Sequence, residues 1–199
     1  MTIKVFEEIL KQAQVRGIMD RSVDEARMWI RKKSQATRTV NTQQIIKQAN
    51  DQAVQQVKVG QLFLFRYNAK LKDELPYWDM FPIVFPFRKA PGGFYGINLH
   101  YIPWQFRAML MDNLYDIMNN SKADETTKLR LSYNVLSSSA KFRWFKPCVK
   151  HYLNTQVSSK LIYIEPKEWE VALFLPLQKF QGATTAQVYR DSKNIVTRR

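Results

Sequence analysis

Hydrophobic and polar positions change period twice along this chain. Up to about residue 60, apolar residues recur at helical spacing: Ile3, Phe6, Ile9 and Leu10 form one stripe. After a turn at Gly17, Ser22-Val-Asp-Glu25 has the pattern of a capping box ahead of a helix from Ala26 to Lys33. From Asn41 the chain is rich in Gln, yet Ile46, Ala49, Ala53 and Val57 keep a helical period, which predicts a helix whose narrow apolar face another element must cover. At Gly60 the period becomes two. GQLFLFRYNA, MFPIVFPF and FYGINLHYI read as three strands, separated by the KLKDELP loop and the Pro91-Gly92-Gly93 turn. Phe63, Phe65 and Tyr67 share one face, while Pro82 and Pro86 lack N–H donors and place the second strand at an edge or on bulges. Helical spacing returns after Pro103 with Phe106, Leu110, Leu114 and Ile117.

A further helix is predicted by Leu129, Tyr133, Leu136 and Ala140, with Asp124 and Glu125 at the favourable end of its dipole. A short helix around Pro147 to Leu153, a strand at KLIYIE and a helix from Pro166 to Leu175 follow, then a polar tail ending in Arg198 and Arg199. Together these elements predict an α+β fold: a small antiparallel sheet from about residue 61 to 101, plus a strand near 160 to 165, packed by helices on one side. The expected organisation is a helical basic segment over 1–59, one α+β core domain over 60–176 and a polar tail over 177–199.

Composition adds charge to this picture. The 199 residues carry 31 Lys and Arg against 17 Asp and Glu, a net charge of +14, together with 45% hydrophobic and 13% aromatic residues, too apolar for a disordered basic tail. Cys148 is the only cysteine and His100 and His151 the only histidines, which excludes an intrachain disulfide, zinc fingers and zinc ribbons. No run of 18 apolar residues occurs and the N-terminus is not that of a signal peptide, so neither a membrane partner nor secretion is expected, and the protein is expected to act in a reducing cytoplasm or in a particle assembled there.

The positive charge is concentrated in two windows without a single acidic residue. Ala26 to Asn50 holds Arg27, Arg31, Lys32, Lys33, Arg38 and Lys47; Thr126 to Ile164 holds Lys128, Arg130, Lys141, Arg143, Lys146, Lys150 and Lys160. In KFRWFKPCVKHY the cations alternate with Phe142, Trp144, Phe145 and Tyr152, a mixture that can hold phosphates while offering rings to bases. The same mixture also makes core anchors with lysines snorkelling around them. As a DNA surface the windows nominate Arg27, Arg31, Lys32, Lys33, Lys128, Arg130, Lys141, Arg143, Trp144, Lys146, Lys150 and Tyr152. Of these, Lys141, Arg143, Lys146 and Lys150 are expected to outweigh Arg27, Arg31, Lys32 and Lys33, because Trp144 or Tyr152 beside them can stack on the exposed face of a terminal base pair. No sequence-reading module is present, so binding is expected to follow backbone and shape.

Catalytic patterns are weaker. His100 and Asn98 share a predicted strand with Asp79 in the approach to the sheet, but a third group is missing, and a hydrogen-bonded structural histidine accounts for the pair. The strands are poor in carboxylates for a two-metal nuclease, Cys148 reads as a buried thiol, and Gly92-Gly93 matches no phosphate-cradling pattern. A protein that is not an enzyme and needs no metal or other cofactor is expected.

Four blocks, YWDMFPIVFPF, GFYGINLHYIP, KFRWFKPCVKHYL and LIYIEPKEWEVALFLPLQKFQGATTAQVYRDSK, resemble the DNA end protector, or head-completion, proteins of tailed bacteriophages related to T4, over about residues 60 to 195. The resemblance implies a virion protein that joins the filled head, sits at the ends of the packaged linear double-stranded DNA and shields them from host exonuclease in the host cytoplasm after injection. It also implies phage head or neck proteins as partners. It carries no site residues with it; the basic positions above rest on charge clustering alone. The alternative is a structural neck, tail or baseplate protein whose basic surface docks acidic partner subunits, and a nuclease comes third.

Overall fold

A computed structural model describes residues 3–118 and 120–197, so Arg198 and Arg199 lie outside the described residues. The helical period at the N-terminus produces α1 (Lys4–Val15) and α2 (Val23–Ala36). Between them Gly17 adopts φ 63°, which only glycine takes without strain, and the Ser22 hydroxyl accepts the Glu25 N–H at 3.3 Å to start α2. The Gln-rich stretch is not one helix. α3 covers only Thr42–Gln48, a 3-10 turn follows, and Ala53–Val54 form β1, paired antiparallel with Leu161 and Ile162. The element that covers Ala53 is therefore a strand from the far end of the chain.

The remaining elements are β2 (Leu62–Leu64), β3 (Trp78–Asp79), β4 (Ile83–Ala90), β5 (Gly93–Asn98), α4 (Trp104–Met118), α5 (Glu125–Ser139), β6 (Val149–Leu153), β7 (Leu161–Ile164), α6 (Trp169–Phe174), β8 (Phe180–Gln181) and α7 (Thr185–Thr197). Six strands form one antiparallel sheet in the order β1-β7-β2-β4-β5-β6, and β3 pairs with β8 in a two-stranded ribbon. The α+β fold is thus the one the changes of period predict.

Of the two placements the prolines allow the second strand, edge or bulge, the structure takes the bulge: β4 is central, and its register shifts between Pro86 and Arg88. Three details depart from the sequence reading. Residues 149–153, expected as part of a short helix, form edge strand β6 after a 3-10 segment over Arg143–Cys148, because Pro147 cannot donate inside a longer helix while the residues after it pair with β5. Tyr133, placed on the apolar stripe of α5, faces solvent; among the described side chains of that helix Ser132, Leu136 and Ser139 are buried, and small serines suit the packing of α5 on β4, while the Leu129 side chain lies outside those described. The tail is helical over 185–197, with Val188, Ser192 and Val196 buried.

The sheet separates two apolar layers. Leu62, Leu64, Ile83, Phe85, Ile97, Ile162 and Ile164 face the helices, where every residue of α6 is buried and Trp169 meets Phe85 edge-on at 4.9 Å. Phe63, Phe65, Val84, Phe94 and Tyr152 form a smaller aromatic layer on the opposite face. Gly93 is required where β5 meets β6: a Cβ there would lie 1.9 Å from the Tyr152 carbonyl oxygen.

Candidate nucleic-acid interface

Two of the six cations of the first basic window, Arg27 and Arg31, are committed to the fold, while Lys32, Arg38 and Lys47 are exposed. α2 directs Arg27 and Arg31 toward Glu170 at the start of α6 and Asp112 on α4. Arg27 donates from Nε to Glu170 Oε1 at 2.7 Å and from Nη2 to Asp112 Oδ1 at 2.8 Å; Arg31 donates from Nε to Glu170 Oε2 at 2.6 Å and from Nη2 to Asp112 Oδ1 at 2.7 Å. Their planes also cover rings, Arg27 at 4.1 Å from the Tyr115 centroid and Arg31 at 5.1 Å from Phe174. Burial is the largest single influence on the Arg31 pKa and lowers it, but the hydrogen bonds and charges of Glu170 and Asp112 together outweigh it and raise the pKa, so the group stays charged. These two arginines staple α2 to α4 and α6 instead of facing solvent. Lys32 is exposed and Lys33 half-buried on the same helix.

The second window divides in the same way. Tyr152 is buried, with its ring edge-on to Phe65 and Tyr67 and stacked on Phe94, so it offers no face to a DNA end. Strand alternation decides this: Tyr152 pairs with Phe94 across β5 and β6 and points into the aromatic layer. Lys150, two residues earlier, is half-buried, its ammonium 3.9 Å from the Tyr101 ring centroid. Lys128 is half-buried on α5, and Arg130 is exposed about two and a half turns before the end of that helix.

Lys141, Arg143, Trp144 and Lys146 do come together, on the ridge formed by the turn after α5 and the 3-10 segment. All four are exposed, as is Phe142 at 60%; Trp144, 46% exposed, stacks on Phe106 of α4 with centroids 5.7 Å apart and planes 16° off parallel. The Arg143 guanidinium lies 5.6 Å from the Trp144 centroid. None of the three cations pairs with a carboxylate among the described residues. α7 packs against the 3-10 segment and turns Arg190 and Lys193 to solvent, and Trp104 at the start of α4 is exposed. Sequence reasoning passed over these three. The spacing of Val188, Ser192 and Val196 at intervals of four was the available signal that 190 and 193 lie on the outer face of a helix, and the structure buries all three.

The histidine found in the sequence sits in a closed polar centre. The His100 Nδ1 donates to Asp79 Oδ2 at 2.7 Å, and Asp79 also accepts from Asn98 Nδ2 and from the backbone N–H groups of Phe81 and Lys179. Burial pushes the His100 pKa below its ordinary value, and so keeps the ring neutral. For Asp79 burial opposes ionisation, but these donors prevail and hold its pKa below the usual carboxylate value. Both side chains are buried and the His100 Nε2 has no partner among the described residues, so the pair is tied into the end of the sheet. Burial pushes the Cys148 thiol up to about 12, which leaves it protonated and unreactive. No group of three His, Cys, Asp or Glu among the described residues could hold a metal ion, and no helix among them is long and apolar enough to cross a membrane.

A solvent-facing ridge whose cations pair with no carboxylate among the described residues, interleaved with exposed rings, is the surface of this α+β scaffold with the character of an anion-binding face. The family described as phage T4 terminal DNA protecting protein matches residues 7–195, nearly the whole chain, and the protein belongs to that family. No curated protein and no solved structure matches it.

Proposed function

We propose that this protein binds the ends of packaged linear double-stranded DNA in the phage particle and protects them, without catalysis, from exonuclease in the host cytoplasm after injection, having joined the particle at head completion. The observation that carries this reading is the ridge of Lys141, Arg143 and Lys146 interleaved with the exposed rings of Phe142 and Trp144. Its cations suit the phosphates flanking a terminus, and Trp144, held from behind by Phe106, suits the open face of the last base pair. Arg130, Arg190 and Lys193 would extend the phosphate track, with Lys32, Lys33 and Lys128 as outlying contacts. Arg27, Arg31 and Tyr152 serve the fold in this reading. Family membership supports the same function.

The test is the salt dependence of binding to a linear duplex. Replacing Lys141, Arg143 and Lys146 together by Gln should lower the slope of log K against log salt by about 2 to 3, since each phosphate contact contributes about 0.9. Trp144→Ala should leave that slope nearly unchanged and reduce the preference for linear over closed circular DNA. An unchanged slope in the triple variant would remove the ridge as the DNA surface.

A second reading, docking to acidic head, neck, tail or baseplate subunits, is favoured by the exposed apolar side chains of Trp104, Met109 and Phe142. Such a joint would persist at high salt through its apolar contacts, whereas a phosphate surface would let go.

A further inference from the structure

Plain alternation along β4 would send Arg88 to the aromatic layer: Phe85 and Phe87 both belong to the helix-side core, so the next residue should point the other way. The bulge between Pro86 and Arg88 reverses this and pairs Arg88 with Tyr95, which packs on the helix-side core. Tyr95 pairs in turn with His151 of β6. A row of three planar side chains results. The Arg88 guanidinium lies 4.3 Å from the Tyr95 centroid, and the His151 ring stacks on Tyr95 with centroids 4.7 Å apart and planes 18° off parallel. Because β4 and β6 flank β5, the two basic groups sit on opposite sides of the tyrosine.

Both ends of the row are exposed, and neither the Arg88 guanidinium nor the His151 ring pairs with a carboxylate or donates a hydrogen bond to a described residue. A side chain held flat against a ring has already lost much of its rotamer freedom, so gripping an anion costs it less ordering than it costs a free surface cation. The surroundings of His151 are cationic. Lys150 lies on the other face of its strand, Arg143 and Lys146 on the 3-10 segment before it, and the groove along the open edge of β6 adds Lys70, Tyr77, Tyr101 and Asp79. Asp79, the one carboxylate lining that groove, is buried and already accepts from His100, Asn98, Phe81 and Lys179.

The row also continues the ridge. The 3-10 segment packs against β5 and β6, and five residues separate Lys146 from His151, so their Cα atoms are at most about 18 Å apart, a length over which one DNA strand presents about five phosphates. We propose that Arg88 and His151, held on either side of Tyr95, grip the phosphodiester backbone of the duplex whose end lies on the ridge, with His151 bound in its protonated form. The guanidinium offers a planar fork to phosphate oxygens, and the imidazolium a charged N–H. A phosphate beside an imidazole favours its charged form, so DNA binding takes up a proton and strengthens as pH falls. His100, the other histidine, is buried away from any such contact. The inference rests on the end-binding reading and deepens it, adding a second set of backbone contacts and a dependence on pH.

Fluorescence anisotropy with a short blunt duplex, measured on the full chain over a range of salt and from pH 7.5 to 6.0, tests it. Arg88→Gln should lower the slope of log K against log salt by about 0.9, the share of one phosphate contact. Wild-type affinity should rise about 3- to 10-fold as pH falls across that range, and His151→Gln should abolish the rise. Both substituted side chains are exposed, so the variants should fold, which circular dichroism checks. Tyr95→Leu keeps both basic groups but frees them, and should weaken binding severalfold with the charge unchanged. A wild-type salt slope in Arg88→Gln, or a wild-type pH response in folded His151→Gln, would overturn the proposal. Unchanged DNA binding in both variants together with their loss from assembled particles would assign the row to an acidic subunit instead. If the triple replacement of Lys141, Arg143 and Lys146 lowers the salt slope while these variants do not, end binding stands and this inference falls. Absence of salt-dependent duplex binding by the wild-type protein would sink the end-binding reading itself.

Discussion

Glu170 is the point where the sequence's most basic helix is fastened to the core, and Glu170→Gln measures how firmly. Both carboxylate oxygens accept from arginines of α2, at 2.7 Å from Arg27 and at 2.6 and 2.9 Å from Arg31, and Glu170 itself is buried. Removing one partner of a buried ion pair costs about 3 to 5 kcal/mol, because the remaining charge is left without compensation. Here Asp112 still accepts from both arginines but is 55% exposed on its side chain, so it supplies only screened relief, and about 3 kcal/mol is expected. For a chain of this size that corresponds to a fall in Tm of about 6 to 12 °C. Urea titration and thermal melting followed by circular dichroism would measure it. A loss below about 1 kcal/mol would refute the assignment of Arg27 and Arg31 to the fold. A second arm uses DNA: Arg31→Gln should leave the salt slope unchanged, whereas a phosphate contact would lower it by about 0.9.

Two further outcomes follow from buried groups. Arg107 is buried and donates to the carbonyls of Ile102 at 3.0 Å and Leu173 at 2.7 Å and to the Tyr189 hydroxyl at 2.7 Å, tying α4 to α6 and α7; Arg107→Met should destabilise by about 4 kcal/mol, and Arg107→Lys should recover little of it in urea titration, since an ammonium cannot reproduce the fork. His100 is held neutral in the folded state while the unfolded chain protonates near pH 6.5, so its contribution is complete above that pH and is lost as pH falls toward the folded-state value, with a slope of up to about 1.4 kcal/mol per pH unit. Asp79, with a depressed pKa, adds a loss only below about pH 4. Stability measured from pH 7 to 5 should flatten in His100→Gln, and an unaltered slope in that variant would contradict the buried-imidazole assignment.

The change from helical to alternating period at Gly60 and its reversal at Pro103 made the sheet readable, because burial of one face by each element is a local property. Ser22 and Pro103 marked helix starts for equally local reasons. What the sequence concealed depends on distant partners. Arg27 looks like any surface cation until Glu170, 143 residues later, lies against it. Ala53 continues a helical pattern, yet its pairing with Ile162 makes it a strand. Tyr152 and Trp144 sit in one aromatic-basic segment with the same composition around them, and only the strand register of β6 sends one into the core while the 3-10 turn leaves the other outside. The cations of 141–146 were legible as a cluster because exposed cations without a carboxylate partner need no distant residue to be read.

Protection of DNA by the purified protein against a processive exonuclease tests the central claim most directly. Linear duplexes of two lengths would be digested at increasing protein, with covalently closed circular DNA as competitor. End binding predicts that the protein required scales with the number of termini and not with length, and that the circle competes poorly. A requirement proportional to total base pairs, with the circle competing as well as linear DNA, would show coating of the duplex and contradict end protection.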